Sequence, residues 1–207
     1  MTIFGSVAEM AFPELLTMLG NYCGKLEVWD LGPFPHLEFH LRHGVVCVFR
    51  VNRHSLTDPL QLNDYLLSMI DLKDGNFEFN KADPETIQDQ IHLPIQRTLL
   101  NTVTYLDELN AYRTRFGDPK ARFKTATFAD ANGMEDAIVL FWQRCRGLLD
   151  RGTDAEEIAQ HLNLSLQITQ LYLYKLRLQQ KVVPAHAPVA PPPAGATQPN
   201  ENFFAVN

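Results

Sequence analysis

The chain has 207 residues, 45 % of them hydrophobic, which allows one or two domains with a real core. No run approaches the ~20 apolar residues of a membrane span. The first residues lack the basic stretch and long apolar run of a signal peptide, so no membrane partner is expected.

Three widely spaced cysteines, Cys23, Cys47 and Cys145, argue against a disulfide framework or a zinc knuckle. They point to a reducing cytoplasm, with the thiols buried as small apolar groups. The net charge of −6 is unevenly spread. Residues 1–113 hold 8 Lys/Arg against 15 Asp/Glu, residues 114–133 hold 4 against 2, and residues 134–183 hold 6 of each. Phosphate is repelled by the N-terminal part, so any nucleic-acid contact has to come from the C-terminal half.

Phe12-Pro13-Glu14 predicts a first helix with Pro in its first turn. Leu15, Leu16, Met18, Leu19 and Tyr22 form its apolar face, and Gly24 is expected to break it. Lys25–Trp29, His36–Leu41 and Val45–Val51 read as strands, joined by turns at Gly32-Pro33 and His43-Gly44 and therefore antiparallel. Asp58-Pro59 caps a second helix with Leu62, Leu66, Met69 and Ile70 inward. Asn76–Asn80 reads as a strand with Phe77 and Phe79 on one face. Pro94 starts a longer helix, where Ile95, Leu99, Thr102, Val103, Leu106 and Leu109 keep helical spacing. The first block, residues 1–113, is thus expected to be α+β, a small antiparallel sheet with helices packed mostly on one face.

Residues 114–133 show no sustained period and read as a linker, with a short strand possible at Phe123–Phe128. Residues 134–183 then carry the caps of a mainly α, helix-turn-helix or winged-helix-like unit. Ile138, Phe141, Trp142, Cys145, Leu148 and Leu149 mark one helix, which Gly152 stops. Thr153-Asp154-Ala155-Glu156 reads as a capping box for a short second helix carrying Ile158, Ala159 and Leu162. Asn163 ends that helix, and Ser165 caps a third running to about Gln180. Lys181-Val182-Val183 reads as the start of a wing strand, whose partner could be Phe123–Phe128. Residues 184–207 are Pro/Ala-rich, are expected to be disordered, and end in an apolar peptide containing Phe203 and Phe204.

Several stretches of the first block recur together in one family. They are Phe4-Gly5-Ser6-Val7, Phe12-Pro13-Glu14-Leu15-Leu16 with Leu19, Gly24-Lys25-Leu26-x-Val28, Leu37-x-Phe39, His43-Gly44-Val45-Val46 and Asp74-Gly75-Asn76-Phe77-Glu78-Phe79. In this order and spacing, residues 1–110 resemble the N-terminal domain of PatA-type bacterial response regulators. The chain departs from that pattern in placing Val48 and Phe49 where a small residue is usual. It also has Asp58-Pro59-Leu60 where a Gly-Ala pair opens the next helix. The resemblance implies a non-catalytic signalling domain of the kind fused to receiver or output modules, and it brings no catalytic residues.

The residues themselves carry little catalytic chemistry. There is no phosphate loop, dinucleotide fingerprint, serine elbow or HExxH helix, so no enzyme and no cofactor are expected, an enzyme being the remote alternative. His36 and His40 share a strand face, with His43 in the turn and Cys47 on the return strand. They lack the tight ligand pairs of zinc sites, so a polar sheet face is expected, with a weak metal site as the alternative.

The third C-terminal helix is more informative. Thr169, Tyr172, Leu173 and Leu176 can form its core stripe, leaving Gln167, Gln170, Lys175 and Arg177 as an outer, DNA-reading face. Leu166, Ile168, Leu171, Tyr174 and Leu178 remain, and one stripe cannot bury them all. The expectation is a regulator acting through protein contacts and self-association as a homodimer. Leu166, Leu171, Tyr174, Leu178, Phe203 and Phe204 are its candidate interaction residues. DNA binding is the alternative, assisted by Arg113, Arg115, Lys120, Arg122 and Lys124.

Overall fold

The computed structural model describes residues 1–185 except 33, 71, 128, 129 and 131. The first strand, β1 (Thr2–Ser6), is followed by α1 (Phe12–Leu19) and then β2 (Gly24–Trp29), β3 (Leu37–Arg42) and β4 (Val45–Val51). Both central residues of the β3–β4 turn, His43 and Gly44, have positive φ, at 45° and 83°. That twist suits a two-residue hairpin, and the expected antiparallel pairing follows. The short β5 (His54–Ser55) leads to α2 (Pro59–Ile70) and β6 (Asn76–Lys81). A second short strand, β7 (Leu93–Pro94), leads directly into α3 (Ile95–Tyr112). All pairings are antiparallel, in the order β1-β6-β2-β3-β4-β5, with β7 beside the start of β4.

Alternation decides which face is covered. Leu26, Val28, Phe39, Leu41, Phe77 and Phe79 face a core closed by Phe12, Leu15, Leu16 and Leu19 of α1, Leu62, Leu66 and Met69 of α2, and Ile95 of α3. Two expectations for α1 need correction. The helix stops at Leu19, before Tyr22, and Met18 is exposed. Gly24 is not a helix breaker but the first residue of β2. A Cβ there would meet the carbonyl of Asn80 and lie 2.6 Å from the Phe79 ring, so only glycine lets β2 approach β6 at that end.

The C-terminal unit comprises β8 (Phe123–Thr125), α4 (Asp136–Leu149), α5 (Ala155–Leu162), α6 (Leu166–Leu178) and β9 (Val182–Pro184). β8 pairs antiparallel with β9 in the register Lys124↔Val183, and Phe123 also bridges Thr153. The second bridge moves the capping box by one residue. The Thr153 N–H donates to the Phe123 carbonyl at 3.0 Å and is not available to the Glu156 carboxylate, so the expected reciprocal pair does not form. Instead Asp154 accepts from the Glu157 N–H at 2.9 Å, and the Thr153 hydroxyl donates to the Glu157 carboxylate at 2.7 Å. Asn163 ends α5 at φ 52°, in the left-handed region that suits Asn, and Ser165 caps α6 by accepting from the Ile168 N–H.

The expected linker is not a free tether. Besides carrying β8, it is anchored by the Ala155 N–H donating to Pro119 and the Ala185 N–H donating to Arg122. A second core gathers Ile138, Phe141, Trp142, Cys145, Leu149, Ile158, Leu162, Ile168, Leu171, Tyr172 and Leu176. Leu60 and Leu67 of α2 and Leu109 of α3 belong to this core as well. Both helices therefore bury one face under the sheet and another against the C-terminal unit. No helix among the described residues is long and apolar enough to cross a membrane.

Candidate interaction surface around α6

The apolar residues left over on α6 find their partners within the chain. Leu171 is fully buried, Leu166 packs against the second core, and Tyr174 is half-buried. The Tyr174 ring lies 5.0 Å from that of Tyr112 and 6.0 Å from that of Phe116, centroid to centroid. Tyr172 meets Phe141 at 5.0 Å on one side and Tyr105 of α3 at 6.2 Å on the other. The face expected to await a partner is thus largely filled by α3 and the segment after it. Leu178 alone of these residues is open, at 59 % exposure. Phe203 and Phe204 lie outside the described residues.

Lys175 is also corrected. Expected on the outer face, it is 8 % exposed and faces α3. Its Nζ lies 2.7 Å from Glu108, donates to both Glu135 oxygens at 3.0 and 3.1 Å, and sits over the Tyr105 ring. Burial pulls its pKa down, but the bonds to Glu108 and Glu135 outweigh this and leave the ammonium above its ordinary range. A lysine neutralised by two carboxylates is not available to phosphate.

The turn before α6 is held just as firmly. Asp64 of α2 accepts from both the N–H and the hydroxyl of Ser165, each at 2.5 Å. Burial raises the Asp64 pKa, and the two Ser165 bonds only partly offset it. Gln61 donates to the Leu162 carbonyl at 3.0 Å, and Asp58, at the start of α2, pairs with Arg144 of α4. These anchors, Gln61, Asp64, Glu108 and Glu135, escape a reading of the sequence because each lies on a solvated-looking helix or loop. The one available signal is Lys175 itself, a cation directly flanked by Tyr174 and Leu176.

The rest of the outer face remains polar. Gln167 and Arg177 are exposed, and Gln170 donates to the Gly117 carbonyl at 3.3 Å. Gln170 borders two adjoining surface depressions. One is flanked by Arg115 and Arg177, the other by Arg113 and Gln167. The structure therefore brings Arg113, Arg115, Gln167, Gln170 and Arg177 to one side of α6 and excludes Lys175 from it. Beyond them, Arg122 is engaged with the Gly152 carbonyl and with Glu157 at 3.7 Å.

The histidines do not converge. His36 lies 3.7 Å from Glu27, His40 2.5 Å from Glu38, and His43 3.5 Å from the Cys23 sulfur. Cys47 is buried, with its sulfur near the Val45 carbonyl, and burial pushes its thiol up to about 11. No group of three metal-ligating side chains forms among the described residues. An open cleft of about 710 Å³ lies between α2, α3 and the start of α4, with Arg97, Glu108, Glu135 and Asp136 on its walls. No family model, curated protein or solved structure matches the chain.

Proposed function

We propose that this chain is a non-enzymatic regulatory protein that acts in the bacterial cytoplasm by binding other proteins, including a second copy of itself. In this reading a PatA-like signalling unit is joined to a winged-helix-like unit. Its small sheet is completed from before α4, by β8, rather than by a second wing strand. The observation that carries the proposal is the use of α6 inside the chain. A helix that reads DNA presents its N-terminal residues to the groove. Here the N-cap Ser165 is held by Asp64, whose charge repels phosphate at that end although Gln167 stays exposed, and another side of the helix is packed on α3.

DNA binding is the second reading, favoured by the gathering of Arg113, Arg115, Gln167, Gln170 and Arg177 on one side of α6. Titration of labelled duplex DNA with the full chain across a salt series separates the two. The proposal expects no saturable binding at low salt by the folded protein. Micromolar binding that falls steeply with salt and is abolished by Arg113→Glu with Arg177→Glu would overturn it in favour of DNA.

A further inference from the structure

α3 has a third face that neither core uses. At 3.6 residues per turn, Arg97, Leu100, Val103, Thr104 and Asp107 fall within an arc of about 120° and span about 15 Å of helix. All five are exposed, Leu100 at 67 % and Val103 at 45 %, with the half-buried Leu99 and Leu106 along one border. Among the exposed large apolar side chains, Leu100 and Val103 are the pair that adjoin on one helical face. Neither Arg97 nor Asp107 forms an ion pair with another described residue.

The face is thus basic at one end, apolar in the middle and acidic at the other. Such a pattern is complementary to itself in one orientation only. Parallel pairing sets Arg97 against Arg97 and Asp107 against Asp107. Antiparallel pairing about a two-fold axis near residue 102 sets each Arg97 opposite Asp107 of the second copy, and Leu100 beside Val103 and Thr104 of the second copy. That is the requirement of an isologous interface, in which residue i meets j and j meets i.

We infer that two copies of this chain associate through antiparallel packing of their α3 helices, centred on Leu100 and Val103 and registered by reciprocal Arg97–Asp107 pairs. The inference rests on the self-association proposed above and names its surface. The axis crosses the helix shared by both cores, so the dimer joins the two units of each copy at their common element.

Sedimentation equilibrium over a wide concentration range tests this on the full chain and on Val103→Glu, Arg97→Glu, Asp107→Arg and the double reversal. The variants change exposed side chains, and their far-UV spectra and urea midpoints check that they remain folded. The wild type is expected to dimerise and Val103→Glu to lose the dimer. Each single reversal turns two attractive pairs repulsive and raises the dissociation constant about tenfold, and the double reversal restores it. A wild-type dimer unaffected by Val103→Glu overturns the α3 interface and leaves self-association standing. Loss of the dimer in Val103→Glu without rescue by the double reversal overturns the antiparallel register. A wild type monomeric at every concentration overturns the self-association reading together with this one.

Discussion

Replacing Asp64 by alanine removes the one carboxylate that ties α2 to the start of α6. The Ser165 N–H and hydroxyl then lose their acceptor, and a buried donor left without a partner costs roughly 1–3 kcal/mol. Two effects reduce the sum. Asp64 is itself poorly solvated, as its raised pKa shows, so its removal relieves a burial penalty. A groove of about 210 Å³ beside Asp64, Tyr65 and Ser165 also lets water reach the exposed donors. A net loss of about 1–2 kcal/mol is expected, read as a lower urea midpoint at unchanged slope. Asp64→Asn keeps one acceptor and removes the desolvated charge, so it should cost about half as much.

The pH dependence carries a definite sign. A carboxyl whose folded pKa lies above its ordinary 3.8 contributes stability that is fully present below 3.8 and lost as pH rises through the folded value. The wild type should therefore gain on the non-titrating Asp64→Asn as pH falls toward 3.8. Equal midpoints for wild type and Asp64→Ala, or a gap to Asp64→Asn that closes in acid, would refute the docking of α6 on α2.

Other substitutions probe the same junction and the sheet. Lys175→Met should cost about 2–3 kcal/mol, because Glu135 can turn to solvent but the Glu108 oxygen facing Nζ is buried and loses its cation, and Lys175→Ala should cost more through loss of the packed stem; paired urea titrations give the order. Tyr174→Ala should cost about 2 kcal/mol in the same assay, since the side chain is only half-buried between Tyr112 and Phe116. Glu38 is pushed up by burial but pulled further down by its bond with His40 and by Arg50, so its pKa ends below the ordinary 4.5. Its contribution is present above pH 4.5 and lost as pH falls through the lowered value, so Glu38→Gln should lower the thermal midpoint at pH 7 and approach wild type in acid. Protein purified without a histidine tag should carry no stoichiometric zinc by elemental analysis, because His36, His40 and His43 each face a different partner.

The local signals were legible. Pro13, the His43-Gly44 turn, the Asp58 cap, Asn163 and Ser165 each act within a few residues of their own position, and alternation put Phe77 and Phe79 inward without reference to anything distant. Expectations failed where a long-range contact competed with a local one. The box at Thr153 did not form because its N–H pairs with Phe123, thirty residues away, and its hydroxyl turns to Glu157. Gly24 looked like a helix stop, but its small size serves the approach of β6. The excess of apolar residues on α6 correctly implied burial on more than one side. It could not say that the second side is α3 of the same chain, because spacing within a helix carries no information about which surface covers it. Asp64 and Glu108 were invisible for the same reason, since each gains its role from a residue on α6 far along the chain.

The central claim is that α6 lies within the second core, packed on α3 along one side and tied to α2 at its start. Amide hydrogen exchange on the full chain tests it most directly. If α6 is locked by α2 and α3, the amides of Thr169–Leu176 should be protected as strongly as those of β2 and β6 and should open only with global unfolding. Exchange across α6 that is orders of magnitude faster than in the sheet would mean that the C-terminal unit opens on its own, and the account would fail.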